Sequence, residues 1–170
     1  MKKALLPIVL IAAGAAHADY KVDMKSIDAK GVGKSIGTIT VSAAPGGGVT
    51  LKPALKGLPA GERGFHVHQN ADCGVKEKDG KPSAGEAAGP HWDPDKTGKH
   101  KGPKGGGHKG DLPALEVASD GSATKAVTAP NVKLADLAGK SLMIHSGSDT
   151  YMEPPPNGGG AERIACGVIK

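Results

Sequence analysis

The sequence predicts an all-β fold, an antiparallel sandwich or barrel, on three observations. Eight short runs rich in Val, Ile, Thr and Leu recur along the chain, Gly, Pro and Asp punctuate them, and helical stretches are few. Run 20–27 stops at Asp28, and run 35–42 stops before the Pro45 to Gly48 turn. Run 48–55 is closed by Gly57 and Pro59, while run 63–68 carries the alternating pair His66 and His68. Runs 112–118 and 123–129 lie on either side of Asp120-Gly121; run 141–145 follows Gly139, and run 164–169 closes the chain. A helical turn is expected only at 132–137. Two long stretches, 70–110 and 146–162, interrupt the pattern, and loops of that length in a compact domain are usually functional or disordered.

The first eighteen residues read differently from the rest. Lys2 and Lys3 precede an apolar stretch and an Ala16-His17-Ala18 cleavage pattern, so residues 1–18 are expected to be a secretory signal and 19–170 one exported domain. The stretch is too short to span a bilayer and Pro7 interrupts it, so stable membrane insertion is not expected. Loss of Lys2 and Lys3 leaves 20 basic against 17 acidic residues, a mild surplus. Without basic clusters interleaved with aromatic residues, nucleic acid is not an expected partner. Aromatic residues make up 2% of the chain, so the core must come from Val, Ile, Leu and Ala. Such a core gains less from burial, and a cross-link would help. Cys73 and Cys166 are an even pair in an exported chain, which favours a disulfide over thiol ligation of a metal.

Chemistry gathers on six histidines beyond residue 20: His66, His68, His91, His100, His108 and His145. On a strand, His66 and His68 project from one face while Val67 points to the core. His145 ends the run SLMIH, and His91 opens HWDP after a Gly-Pro turn. His100 and His108 lie in a glycine- and lysine-rich segment with nothing apolar to bury, and Asp111 follows three residues after His108. Two imidazoles and a carboxylate, with one more imidazole, would complete a closed zinc site; four imidazoles suit copper. Six histidines fill four copper and three zinc nitrogen positions only if one of them serves both ions.

The strings GFHVHQNADCG, AAGPHWDP, GHKGDLP, MIHSGSD and GGGAERIACGVI resemble the signatures of the copper,zinc superoxide dismutases in their exported bacterial form. The resemblance runs through nearly all of residues 20–170. It implies an eight-stranded antiparallel Greek-key barrel with two long functional loops, one copper and one zinc per subunit, superoxide as substrate, and a periplasmic location. It also implies copper on His66, His68, His91 and His145, zinc on His91, His100, His108 and Asp111, and His91 as the shared, catalytic imidazolate. By the same resemblance Arg163 receives the anionic substrate, Asp149 hydrogen-bonds ligands of both metals, and Cys73 pairs with Cys166. The site would stay net positive and draw in an anion.

Lys76, Lys78 and Lys81 are candidates for a basic rim, with Glu77 and Asp79 partly cancelling their field. Met152, Glu153, the triple proline and Ala161-Glu162 depart from the family pattern, and Glu162 is expected to weaken attraction near the substrate channel. A homodimer is one expectation for the assembly, with Trp92 either contacting a second subunit or packing a loop on the core. A metal carrier on the same sandwich is the alternative class, but it would need neither Arg163 nor a shared imidazolate.

Overall fold

The computed structural model describes residues 19–170; the expected signal segment 1–18 lies outside them. Among the described residues there are eleven strands: β1 (Tyr20–Asp28), β2 (Gly31–Ala43), β3 (Val49–Leu55), β4 (Gly61–Arg63), β5 (Phe65–His68), β6 (Lys76–Lys78), β7 (Lys81–Ser83), β8 (Leu115–Val117), β9 (Val127–Ala129), β10 (Ser141–His145) and β11 (Arg163–Val168). Seven form one antiparallel sheet in the order β5-β10-β11-β1-β2-β3-β9, and β4 pairs with β8. Only Gly64 separates β4 from β5, so the β4–β8 pair continues beyond the β5 edge. The connections from β3 to β4 and from β9 to β10 join strands that are not neighbours, as the Greek-key expectation requires. No helix among the described residues is long and apolar enough to cross a membrane.

All eight expected runs contain strand, but several bounds move. Run 63–68 divides at Gly64, whose N–H donates to Gly147 O at 2.8 Å and whose carbonyl accepts from His145 N at 2.9 Å. Run 112–118 keeps only β8, because Leu112 is drawn onto β5, donating its N–H to Phe65 O at 3.2 Å, and run 123–129 keeps β9, with Ala123 making only an isolated bridge to Leu55. The first long stretch is not wholly irregular, since β6 and β7 form a hairpin within it. The expected helical turn shrinks to a 3-10 turn at Leu134–Asp136.

Alternation builds the interior. In β3, Val49, Leu51 and Leu55 are buried while Lys52 and Ala54 are exposed. β5 and β10 depart from this pattern, since every residue in both is buried. Their inward residues Phe65, Val67, Leu142 and Ile144 join the main core, with Trp92 and Leu112 packed beside them. On the other face, Met143 of β10 joins Ile27, Ala88 and the Cys73–Cys166 disulfide in a second, smaller cluster. The long loops therefore cover the outer face of β5, β10 and β11, and that is the face from which His66 and His68 project.

Candidate metal centre

Backbone pairing brings the ligand-bearing segments onto β5. His66 bridges Asp111 and His68 bridges His91, while Val67 N–H donates to Gly110 O at 2.8 Å and Val67 O accepts from Trp92 N at 2.9 Å. Gly110 N–H donates in turn to Trp92 O at 2.8 Å. This lattice needs a glycine, because a Cβ on residue 110 would lie 2.3 Å from Val67 O.

Two groups of potential ligands result. His66, His68, His91 and His145 offer nitrogens within 4.8 Å of one another, and so do the ligand atoms of His66, His91, His100 and Asp111. His91 and His66 belong to both groups, their rings stacked with centroids 3.9 Å apart. His108 is outside the second group, yet its Nδ1 lies 3.4 Å from Asp111 Oδ1. The same oxygen is 3.1 Å from His91 Nδ1 and 3.0 Å from His100 Nδ1. Three ring nitrogens around one carboxylate oxygen fit the roughly 3.3 Å edge of a tetrahedron built on zinc bonds of about 2.0–2.1 Å.

Hydrogen bonding sorts the ring nitrogens further. His66 Nε2 donates to Asp149 Oδ2 at 2.6 Å, and His100 Nε2 donates to Asp149 Oδ1 at 2.7 Å. His68 Nδ1 donates to Gly89 O at 2.8 Å, and His145 Nδ1 reaches Ala161 O at 3.4 Å. Their opposite nitrogens, together with His108 Nδ1, are buried without a hydrogen-bond partner. An unsatisfied buried polar atom is costly, so five of them aimed at two adjacent spots are what a cation site requires. Asp111 Oδ2, on the far side, accepts from Lys101 N and Gly102 N at 3.2 Å each.

Electrostatics keeps most of these rings ready as ligands. Burial, which penalises the imidazolium, holds His66 below the usual histidine range and His68 and His145 well below it. Burial and then neighbouring His66 lower His91 to about 3. His100 goes the other way: burial opposes its charge, but the carboxylates of Asp111 and Asp149 outweigh it and raise the group to about 9. Against the upward pull of burial, contact with His100, then His91 for Asp111 and His66 for Asp149, keeps both carboxyls well below their usual range.

Arg163 stands beside the first group. Its Nη1 donates to Gly85 O at 2.7 Å and its Nη2 to Gly89 O at 3.0 Å, the carbonyl that also receives His68 Nδ1. Its charge contributes to the lowering of His68 and His145. The acid that faces it is Glu86, whose Oε2 lies 3.5 Å from Nη1. Glu162, the residue expected to weaken attraction here, is exposed, with its backbone N–H on Ser146 Oγ. Sequence reasoning missed Glu86, which stands at no diagnostic spacing from any ligand. Lys76, Lys78 and Lys81 are all exposed on the β6–β7 hairpin, and Lys78 Nζ lies 3.9 Å from Glu86 Oε2. Trp92 is 5% exposed and belongs to the core, under Lys140 Nζ at 5.7 Å, so it is not available as a subunit contact.

A curled antiparallel sheet whose long loops gather six imidazoles, two carboxylates and one arginine on its outer face defines a β-sandwich metalloenzyme class. The copper/zinc superoxide dismutase family model matches residues 35–169. The superoxide dismutase [Cu-Zn] of Escherichia coli K12 is 51% identical over the full length of both chains. Among solved structures, the Cu/Zn superoxide dismutase from Brucella abortus superimposes with TM-score 0.87 at 46% identity, covering 90% of this chain and all of that one. The monomeric copper, zinc superoxide dismutase from Salmonella enterica gives TM-score 0.79 at 52% identity, with the same coverage. The chain belongs to the copper/zinc superoxide dismutase family, and it is an oxidoreductase acting on superoxide.

Proposed function

We propose that the chain disproportionates superoxide in the periplasm with one copper on His66, His68, His91 and His145 and one zinc on His91, His100, His108 and Asp111, His91 serving both. The observation that carries this reading is the set of five buried, unpartnered ring nitrogens directed to two adjacent spots, with His91 common to both groups. His108 is preferred to His66 on the zinc side for a simple reason. His66 has one nitrogen on Asp149, so its remaining Nδ1 can serve only one ion, and the copper group needs it.

Copper, when bound, supplies a one-electron couple that turns one superoxide into dioxygen and a second, with two protons, into hydrogen peroxide, while zinc supplies Lewis acidity to the shared ring. The protein's own residues do the rest. His91 Nδ1 is directed at Asp111 Oδ1, which leaves Nε2 on the copper side to hold a proton and hand it to the reduced substrate. Arg163, fixed by two carbonyls, binds the incoming anion and orients it. Asp149 holds His66 and His100 in the tautomers that present Nδ1 to the metals.

Export through a removed segment 1–18 agrees with the disulfide, which persists in oxidising compartments. A homodimer is left without Trp92 as an anchor, and the Salmonella relative is monomeric. The reading is tested by metal analysis of the mature protein together with a direct superoxide decay assay. One copper and one zinc per chain with fast decay is the expected result. A single kind of metal in both groups, or a fully loaded protein that leaves superoxide untouched, would sink it.

A further inference from the structure

Arg163 needs no carboxylate to be held in place. Both terminal nitrogens of its guanidinium already donate to backbone carbonyls, those of Gly85 and Gly89. Glu86 nevertheless sits between those two residues and turns Oε2 to within 3.5 Å of Arg163 Nη1, with no hydrogen bond made by that oxygen and no solvent reaching it. On its other side the same Oε2 has Lys78 Nζ at 3.9 Å, on a side chain 59% exposed. The arrangement is a row of three charges, Lys78, Glu86 and Arg163, of which only the last reaches the copper ligands.

We propose that Glu86 is a positioning residue that acts through Arg163 by charge, setting how strongly the guanidinium attracts a small anion, and that Lys78 acts on the site by offsetting Glu86. A negative charge in contact with the anion-receiving group opposes the anion it is meant to receive. Oε2 itself is out of solvent although the Glu86 side chain is 23% exposed, so water and salt screen that opposition only in part. Lys78 is too exposed for its own field to carry far, but in contact with Glu86 it cancels part of the opposition at its source. A small anion therefore meets an arginine of moderated strength, which shortens the stay of any anion bound there. Glu86, and not the sequence neighbour Glu162, is the acid in contact with the guanidinium.

The inference rests on the reading that Arg163 receives the anion, and one experiment separates the two. Azide, a small anion that ligates cupric copper, is titrated optically into the copper- and zinc-loaded protein, with metal content checked in each variant. Glu86→Gln is expected to tighten azide binding roughly three- to tenfold, the scale of one unit charge several ångströms away at a surface-like dielectric. Glu86→Ala should move it in the same direction. Lys78→Gln should loosen azide about two- to threefold in the parent protein and leave it unchanged in the Glu86→Gln background. Arg163→Ala should weaken azide and abolish both effects.

If Glu86→Gln or Glu86→Ala leaves azide unchanged or loosens it while Arg163→Ala weakens it, Glu86 is inert or a mere clamp, and the proposal is overturned with the arginine reading intact. An equal cost of Lys78→Gln in both backgrounds overturns the role given to Lys78. An unchanged azide affinity in Arg163→Ala overturns the arginine reading itself.

Discussion

Each histidine of the centre has two ring nitrogens, and five of the six direct one of them to an acceptor inside the protein. For His66 and His100 that acceptor is the same carboxylate, Asp149. Asp149→Ala is expected to lower affinity for both metals by about 10–100-fold, read by chelator competition for each metal, because two rings lose their orientation at once. His91→Ala should make the copper spectrum indifferent to zinc removal, and a spectrum that still responds would remove the shared ring. Arg163→Ala should cut the bimolecular rate by roughly ten- to a hundredfold, the worth of a charge-assisted contact, while both metals stay bound. At this scale, residue types were legible in the chain and partners were not. Asp149 and Arg163 were reached through family resemblance, and Glu86, the acid that lies within 3.5 Å of the guanidinium, was not reached at all.

Strand β5 shows how one element serves two masters. Phe65 and Val67 face the core while His66 and His68 face the metal groups, and both faces are buried because loops cover the outer one. Phe65→Ala should cost about 3–5 kcal/mol in a urea titration, as expected for a large ring removed from a fully buried place. The segment 108–111 docks on β5 through Gly110, where a side chain would meet Val67 O and Trp92 N, the latter at 2.8 Å. Gly110→Ala should therefore push His108 and Asp111 away from His91, so that zinc is lost before copper in metal analysis. The in-and-out alternation of β5 was readable from HVH. The docking of segment 108–111 was not, because a glycine in a glycine-rich string gives no sign of which backbone it must approach.

For the molecule as a whole, the disulfide joins the first long loop to the last strand across 93 residues of sequence. That loop also carries Gly85 and Gly89, the acceptors that hold Arg163 of β11, so the bond both stabilises the fold and anchors Arg163, the proposed anion-receiving residue. Cys73→Ser with Cys166→Ser should lower stability by up to about 4–5 kcal/mol on the chain-entropy account. Loss of urea midpoint and a drop in superoxide decay at full metal load are the expected readouts, and an unchanged decay rate would separate the two roles.

The chain by itself determined that the fold is all-β, where most strands lie, and which side chains are candidate metal ligands, because period-two burial and ligand chemistry are local properties written in residue type and spacing. Tertiary structure alone decided that Asp149 meets His66 across 83 residues, that Gly85 and Gly89 hold an arginine 78 and 74 residues away, and that Glu86 rather than Glu162 faces it. Those choices follow from how two long loops fold back on one sheet face, where contact depends on distance in space and no local pattern encodes it.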